Sequence, residues 1–302
     1  MKQEIRDMEK RAERLNTILK EEGKEFRLEY YQTWKNNCTF EGYVLRGPVK
    51  KLNISPIIYN NPLEYNWYEQ DDRNVIEFLS EKYDELLVPD TIPEEILKNR
   101  EMILSKILPK LVGSEHNKKE LIESGKAFVE FENLDLCMLF YLPLDQELNL
   151  QVCTKQLEIA GNITLEEAKE HAIANLEKSV EVKTMKEILN DMIWLDDCSR
   201  KTEDEMDSLV ICRNVSTYNG AAAIFCQTAQ KKLQELLGND VILLPSSVHE
   251  FIAVSGEAYC SSEEIEFLRE MVESVNREEV DPVDRLTDSV YRLHDGIIDK
   301  IA

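Results

Sequence analysis

The chain has 302 residues, 43% hydrophobic and 31% charged, which is the balance of a globular protein with a sizeable core rather than a disordered one. Lysine and arginine number 36 against 59 acids, a formal charge of −23 that opposes direct nucleic-acid binding, since such binding depends on basic residues displacing counterions from phosphates. The longest apolar run, Leu136 to Leu144, is far short of a membrane span, and the opening MKQEIRDMEKRAER is too charged to hold the apolar core of a signal peptide.

Ile5, Met8, Ala12, Leu15 and Leu19 recur at three- and four-residue steps, which predicts an amphipathic helix ended by Gly23. Alternation from Phe26 to Trp34 predicts a strand, Asn36-Asn37 a turn, and Cys38 to Arg46 the returning strand. Ile54 to Tyr59 reads as a third short strand. A helix with Val75, Leu79, Tyr83 and Leu86 inward follows, then another from Pro93 to Leu108 whose start is marked by Thr91 and Pro93.

The middle of the chain repeats this order. Ala127 to Phe131, Leu134 to Leu142 and Leu148 to Cys153 read as strands. Thr164 and Glu167 form a capping box ahead of a helix that turns Leu165, Ala168, Ala172 and Leu176 inward. Between Asp196 and Asp207 the apolar pattern gives way to DDCSRKTEDEMD, which reads as an acidic loop or linker. Beyond it, strands are predicted at Leu209–Arg213, Gly220–Cys226, Val241–Leu244, Val248–Val254 and Arg285–Leu293. Helices are predicted from Ala229 to Leu237 and from Ser262 to Asn276.

Paired strands thus lead into an amphipathic helix three times, around 26–86, 127–178 and 209–276, without residue-level identity between the units. The fold class this implies is α+β, with mixed or antiparallel sheets and helices packed on one side. The expected division is 1–112, 113–190 and 191–302, packed as one or two bodies. The seven cysteines are odd in number, widely spaced and free of CxxC pairs, so reduced, buried thiols are expected.

Special residues concentrate in Leu243-Leu-Pro-Ser-Ser-Val-His-Glu250, preceded by Asn219-Gly-Ala-Ala-Ala223. A hydrolytic reading takes Ser246 or Ser247 as nucleophile, His249 as its base and Glu250 as the group orienting the imidazole. On a strand, however, Ser247 and His249 share a face while Glu250 points away, and the GxSxG elbow is absent. The opposing reading makes Pro245-Ser246-Ser247 a corner between two buried strands, its hydroxyls bonded to local backbone. Asn219-Gly220 reads as a tight turn, and the three alanines as room for close packing rather than as a phosphate cradle. His116, in an expected polar turn, and His171, His249 and His294 are scattered. No metal or cofactor site is therefore expected unless folding gathers His249, Glu250 and Cys260.

NGAAAIF and LLPSSVHEFI, with Ile54–Tyr59, Leu134-Asp-Leu136, Ala172–Leu176, Met271–Asn276 and Leu286-Thr-Asp-Ser-Val-Tyr291, run in order along nearly the whole chain. In these segments it resembles an uncharacterised bacterial family, a domain of unknown function found mainly in anaerobic Gram-positive gut bacteria. Its members are often encoded near mobile elements. The resemblance implies a shared fold and a bacterial cytoplasm, and it carries no reaction, cofactor or catalytic residue. The expected function is non-catalytic interaction or regulation in the cytoplasm; the charge reads first as a solvated surface that aids solubility and second as an acidic face for a basic protein partner. The alternative is a small-molecule hydrolase or transferase using Ser246, Ser247, His249 and Glu250.

Overall fold

The periodic N-terminal stretch forms helix α1, Lys2–Glu21, which buries Met8, Ala12, Leu15 and Leu19 along one stripe. Gly23 ends it at φ +71°, and Lys24 N–H reaches back to the Leu19 carbonyl at 2.9 Å, the cap that a left-handed residue permits. The computed structural model describes residues 2–47, 57–61, 65–85, 97–143, 149–192 and 208–302. The expectations for 54–56, for Leu86, for Thr91 and Pro93, for Leu148 and for the acidic stretch 196–207 lie outside these residues.

The chain divides into two units, Met1–Glu94 and Glu95–Ala302. In the first, strands β1 (Arg27–Lys35), β2 (Cys38–Arg46) and β3 (Ile57–Tyr59) form an antiparallel sheet in that order. The β1–β2 hairpin turns at Asn36 and Asn37, both at positive φ, as a tight right-twisting turn demands. The core joins α1 and helix α2 (Asp72–Glu85) to Leu28, Tyr43, Leu45 and Trp67. Each such apolar side chain contributes roughly 1.5–3 kcal/mol on full burial.

The second unit holds two antiparallel sheets. After helix α3 (Arg100–Lys106), the chain enters strand β4 (Leu108–Gly113) and then helix α4 (Ser114–Glu123). Strands β5 (Phe128–Phe131), β6 (Leu136–Pro143) and β7 (Asn149–Gln151) follow, with β6 central, pairing β4 on one edge and β5 and β7 on the other. β6 is buried on both faces, so it reads as a continuous apolar run. Leu136, Met138, Phe140 and Leu142 enter the main core, while Cys137 and Leu139 pack with Leu121 of α4.

Helices α5 (Thr154–Ile159) and α6 (Leu165–Leu176) come next, and Thr164 caps α6 by accepting from Glu167 N–H at 3.1 Å. The six-stranded sheet then assembles from β8 (Val180–Thr184), β9 (Val210–Asn214), β10 (Asp240–Ser247), β11 (Glu250–Ser255), β12 (Tyr291–His294) and β13 (Ile297–Lys300). Its order is β13-β12-β10-β11-β9-β8, antiparallel throughout. Helix α7 (Met185–Met192) follows β8. Helix α8 (Gln227–Leu237) shares the main core with Val241, Leu243, Phe251 and Ala253. Helix α9 (Ser262–Glu279) packs Ile265, Leu268 and Val272 on Ile242, Leu244 and Val254 of the opposite face.

The α+β class and the antiparallel pairing are thus as expected, while helices cover both faces of this sheet rather than one side. Four local expectations need correction. Leu108 opens β4 rather than closing a helix, because Leu108, Leu111 and Val112 pack as strand residues against β6. Gly220–Phe225 is a buried 3-10 helix and not a strand. The stretch 285–290 precedes β12, which starts at Tyr291. His116 lies on α4, exposed, rather than in a turn.

Candidate functional site

The LPSSVHE segment is the end of β10, a bulge and a two-residue turn. Val241 to Leu244 pair regularly with Ser255 to Ile252, and the register slips between Pro245 and Ser247. Val248 and His249 then form the turn into β11, so Val248 is a turn residue and not the first of a strand. Val248 is fully buried and tied on both sides: its N–H donates to the Asp284 carbonyl at 2.8 Å, and its carbonyl accepts from Ala221 N–H at 3.2 Å. Ser247 Oγ accepts from the His249 backbone N–H at 3.1 Å, the local hydroxyl–backbone bond that suits a corner.

The His249 ring is engaged at both nitrogens. Nδ1 accepts from Asn219 N–H at 3.1 Å, and Nε2 lies 3.3 Å from Asp284 Oδ1. A ring nitrogen that accepts from an amide carries no proton, so the neutral tautomer has its hydrogen on Nε2, facing the Asp284 carboxylate. The Tyr218 ring lies 5.7 Å from the imidazole, and Tyr141 meets Tyr218 edge-on at 6.5 Å. Burial pushes the Tyr141 hydroxyl up to about 12, opposed by a hydrogen bond with the Asn219 side chain.

Asn219-Gly220 owes its composition to this contact. Asn219 takes the left-handed conformation at φ 54°. Gly220 is required for room: a Cβ there would stand 2.6 Å from the His249 carbonyl oxygen and 2.7 Å from Asn214 N. NGAAA and LPSSVHE, read separately in the sequence, are therefore two halves of one joint.

Glu250 points elsewhere. Its Oε2 lies 3.3 Å from Arg213 Nη1, and Arg213 Nε reaches Glu181 at 2.9 Å, with Lys183 also 3.0 Å from Glu181. Burial raises the Glu181 carboxyl, but the hydrogen bonds from Lys183 and Arg213 outweigh it and hold the group below the usual carboxylate range.

Of the four residues singled out in the sequence, the turn brings Ser247 and His249 together through a backbone bond. Ser246 sits half-buried at the bulge, and Glu250 belongs to the ion-pair chain with Arg213. The carboxylate at the imidazole is Asp284, which sequence reasoning missed. It lies in a turn after α9, where an aspartate next to a proline-containing stretch signals nothing beyond a turn. Cys260 is exposed and donates to the Glu257 carbonyl at 3.2 Å, away from His249. Among the described residues no group of three or more His, Cys, Asp and Glu could hold a metal ion.

A second polar cluster joins two other segments. Asp135, at φ 47°, accepts from Ser289 Oγ and Tyr291 OH at 2.7 Å each and from Lys300 Nζ at 3.0 Å. Tyr291 is fully buried, its hydroxyl also 2.7 Å from Thr287 Oγ1. Burial and the nearby Asp135 charge push its pKa well above the ordinary tyrosine range. The Asp135 carbonyl accepts from Ser114 N–H at 2.8 Å. Gly113 beside it allows the Leu286 carbonyl to approach where a Cβ would be 2.4 Å away.

Fold and clusters together define an α+β protein whose distinctive polar residues are spent joining distant segments of one core. The model of a family of unknown function, DUF5688, matches residues 8–294, and the chain belongs to that family. No curated protein and no solved structure matches it. No helix among the described residues is long and apolar enough to cross a membrane.

Proposed function

We propose that the chain is a non-catalytic interaction or regulatory protein of the bacterial cytoplasm, linked to mobile elements, whose partner is a basic protein. The observation that carries this reading is the commitment of His249: one ring nitrogen holds the Asn219 amide and the other faces Asp284. A general base needs a free ring nitrogen within reach of the nucleophile's proton. Here Nδ1 accepts from the Asn219 amide and Nε2 faces Asp284, while the contact between Ser247 and His249 runs from the His249 backbone N–H to Ser247 Oγ. The charge of −23 supports a basic partner and argues against nucleic acid. The membrane plays no part in this reading.

The competing reading, a small-molecule hydrolase or transferase built on Ser246, Ser247, His249 and Glu250, rests on the same segment and is tested with it. Turnover of p-nitrophenyl esters and phosphates is measured for the parent chain, Ser246→Ala, Ser247→Ala and His249→Ala. The expected result is no turnover that depends on any of these side chains. A rate abolished by both a serine and the histidine substitution would overturn the binding reading.

A further inference from the structure

Helix α9 is held rigidly. Ser261 and Glu264 close a capping box at its start, Ile265, Leu268 and Val272 are buried against the six-stranded sheet, and Asn276 donates to Thr287 O at 2.9 Å near its end. Its outer face is not what a solvated helix presents. Phe267, Met271 and Val275 are exposed by 63%, 40% and 44%, and they stand at i, i+4 and i+8. That spacing aligns them along roughly 12 Å of one helix face. Single exposed apolar residues are ordinary on a protein surface, but three in line form a continuous stripe.

The charge around the stripe says what would cover it. α9 carries seven acids against two arginines, Arg269 and Arg277. Both arginines are already spent on the helix's own acids, Arg269 on Glu266 and Glu273 and Arg277 on Glu278. Glu263 and Glu270 flank Phe267 and Met271 on the neighbouring positions, exposed and without an ion pair among the described residues. A second copy of the chain would bring these acids toward like charge, and an anionic lipid surface would do the same. A cationic partner with its own apolar line satisfies both features at once.

We propose that the outer face of α9 is a docking surface for a basic amphipathic helix, whose apolar residues cover Phe267, Met271 and Val275 and whose lysines or arginines meet Glu263 and Glu270. This rests on the binding reading above and names its partner's chemistry. Binding to the full chain is measured by fluorescence anisotropy with a labelled 18-residue peptide of leucines at helical a and d positions and lysines elsewhere, at about 0.15 M salt. Phe267→Ala with Met271→Ala should weaken binding about tenfold, and Glu263→Lys with Glu270→Lys at least as much. All four side chains are exposed, so both variants stay folded, the second with a slightly lower melting temperature because Glu263 lies in the first turn of α9.

No binding, or binding indifferent to both pairs of substitutions, overturns the assignment of α9. Retained binding that only the charge substitutions alter also overturns it, as a diffuse effect of net charge. Sedimentation velocity covers the rival occupant: self-association lost in the Phe267→Ala, Met271→Ala chain would name a second copy instead. None of these outcomes creates a serine- and histidine-dependent turnover, so failure here is distinguishable from failure of the binding reading.

Discussion

The two polar clusters of the second unit have the same topology and different surroundings. Each joins a residue in a left-handed or tightly packed turn to a segment far away along the chain: Asn219 to His249 and Asp284, and Asp135 to Ser289 and Tyr291. His249 and Asp284 are partly open to solvent, with side-chain exposures of 29% and 37%, whereas Tyr291 is sealed. Water can replace a lost partner at the first cluster; at the second it reaches Asp135 and Lys300, whose side chains are 28% and 40% exposed, but not the Tyr291 hydroxyl. The comparison separates residues that look chemical from residues that are costly to remove, because the cost follows desolvation rather than reactivity.

The largest effect should therefore come from Asp135. Asp135→Ala removes the charged acceptor of the Ser289 hydroxyl and of the buried Tyr291 hydroxyl, which keeps only Thr287 Oγ1, and it puts an alanine at positive φ. A loss of about 3 kcal/mol in urea unfolding is expected, and Asp135→Asn should lose less, since asparagine tolerates the left-handed backbone and keeps an acceptor. Asp135→Ala combined with Tyr291→Phe should cost less than the sum of the two. Strict additivity would show that the short contacts carry no coupling.

His249→Ala comes second. It removes the acceptor of Asn219 N–H and the partner of Asp284, at a site water can reach, so about 1 kcal/mol is expected. His116→Ala, on the exposed face of α4, should melt like the parent. If both mutants melt like the parent, the joint between NGAAA and LPSSVHE is not structural, and the serine–histidine enzyme gains ground.

The same contrast explains what was legible in the sequence. Local signals read well: the α1 stripe, the Asn36-Asn37 turn, the Thr164 cap and the pairing of Val241–Leu244 with the strand after it all rest on neighbours within a few residues. Gly220 to Phe225 was misread because a buried apolar run has the same composition whether it is a strand or a tight helix, and only the packing on Val248 and Asn214 decides. β4 was absorbed into the preceding helical pattern for a similar reason. The serine–histidine pair was visible since it is contiguous, but its carboxylate, Asp284, was not. Nor was the Asp135 cluster, whose members lie 154 to 165 residues apart and share no pattern that a window could detect. Leu134-Asp-Leu136 and Leu286–Tyr291 both carry the family resemblance, and in the fold these two segments touch.

The smallest effect expected is at the far end of the His249 turn, and it is resolved by pH rather than by magnitude alone. Glu181 is held below the usual carboxylate range by Lys183 and Arg213, against the opposing push of burial. A carboxylate depressed in the folded chain takes up its proton less readily there than in the unfolded chain. Its stabilisation is thus fully present above the unfolded value and fades as pH falls through the folded one. Glu181→Gln should therefore cost about 0.5–1 kcal/mol near neutral pH, and the gap to the parent should close as pH falls through the depressed folded value, below the usual carboxylate range. Urea unfolding of both chains from neutral to acidic pH measures it. Because Arg213 also reaches Glu250, the substitution leaves that arginine one carboxylate, so the loss should be smaller than for Glu181→Gln combined with Glu250→Gln. A gap that persists unchanged into acid would mean that Glu181 acts through packing, and the ion-pair chain would then share the character of the sealed Tyr291 contact rather than of the open cluster beside His249.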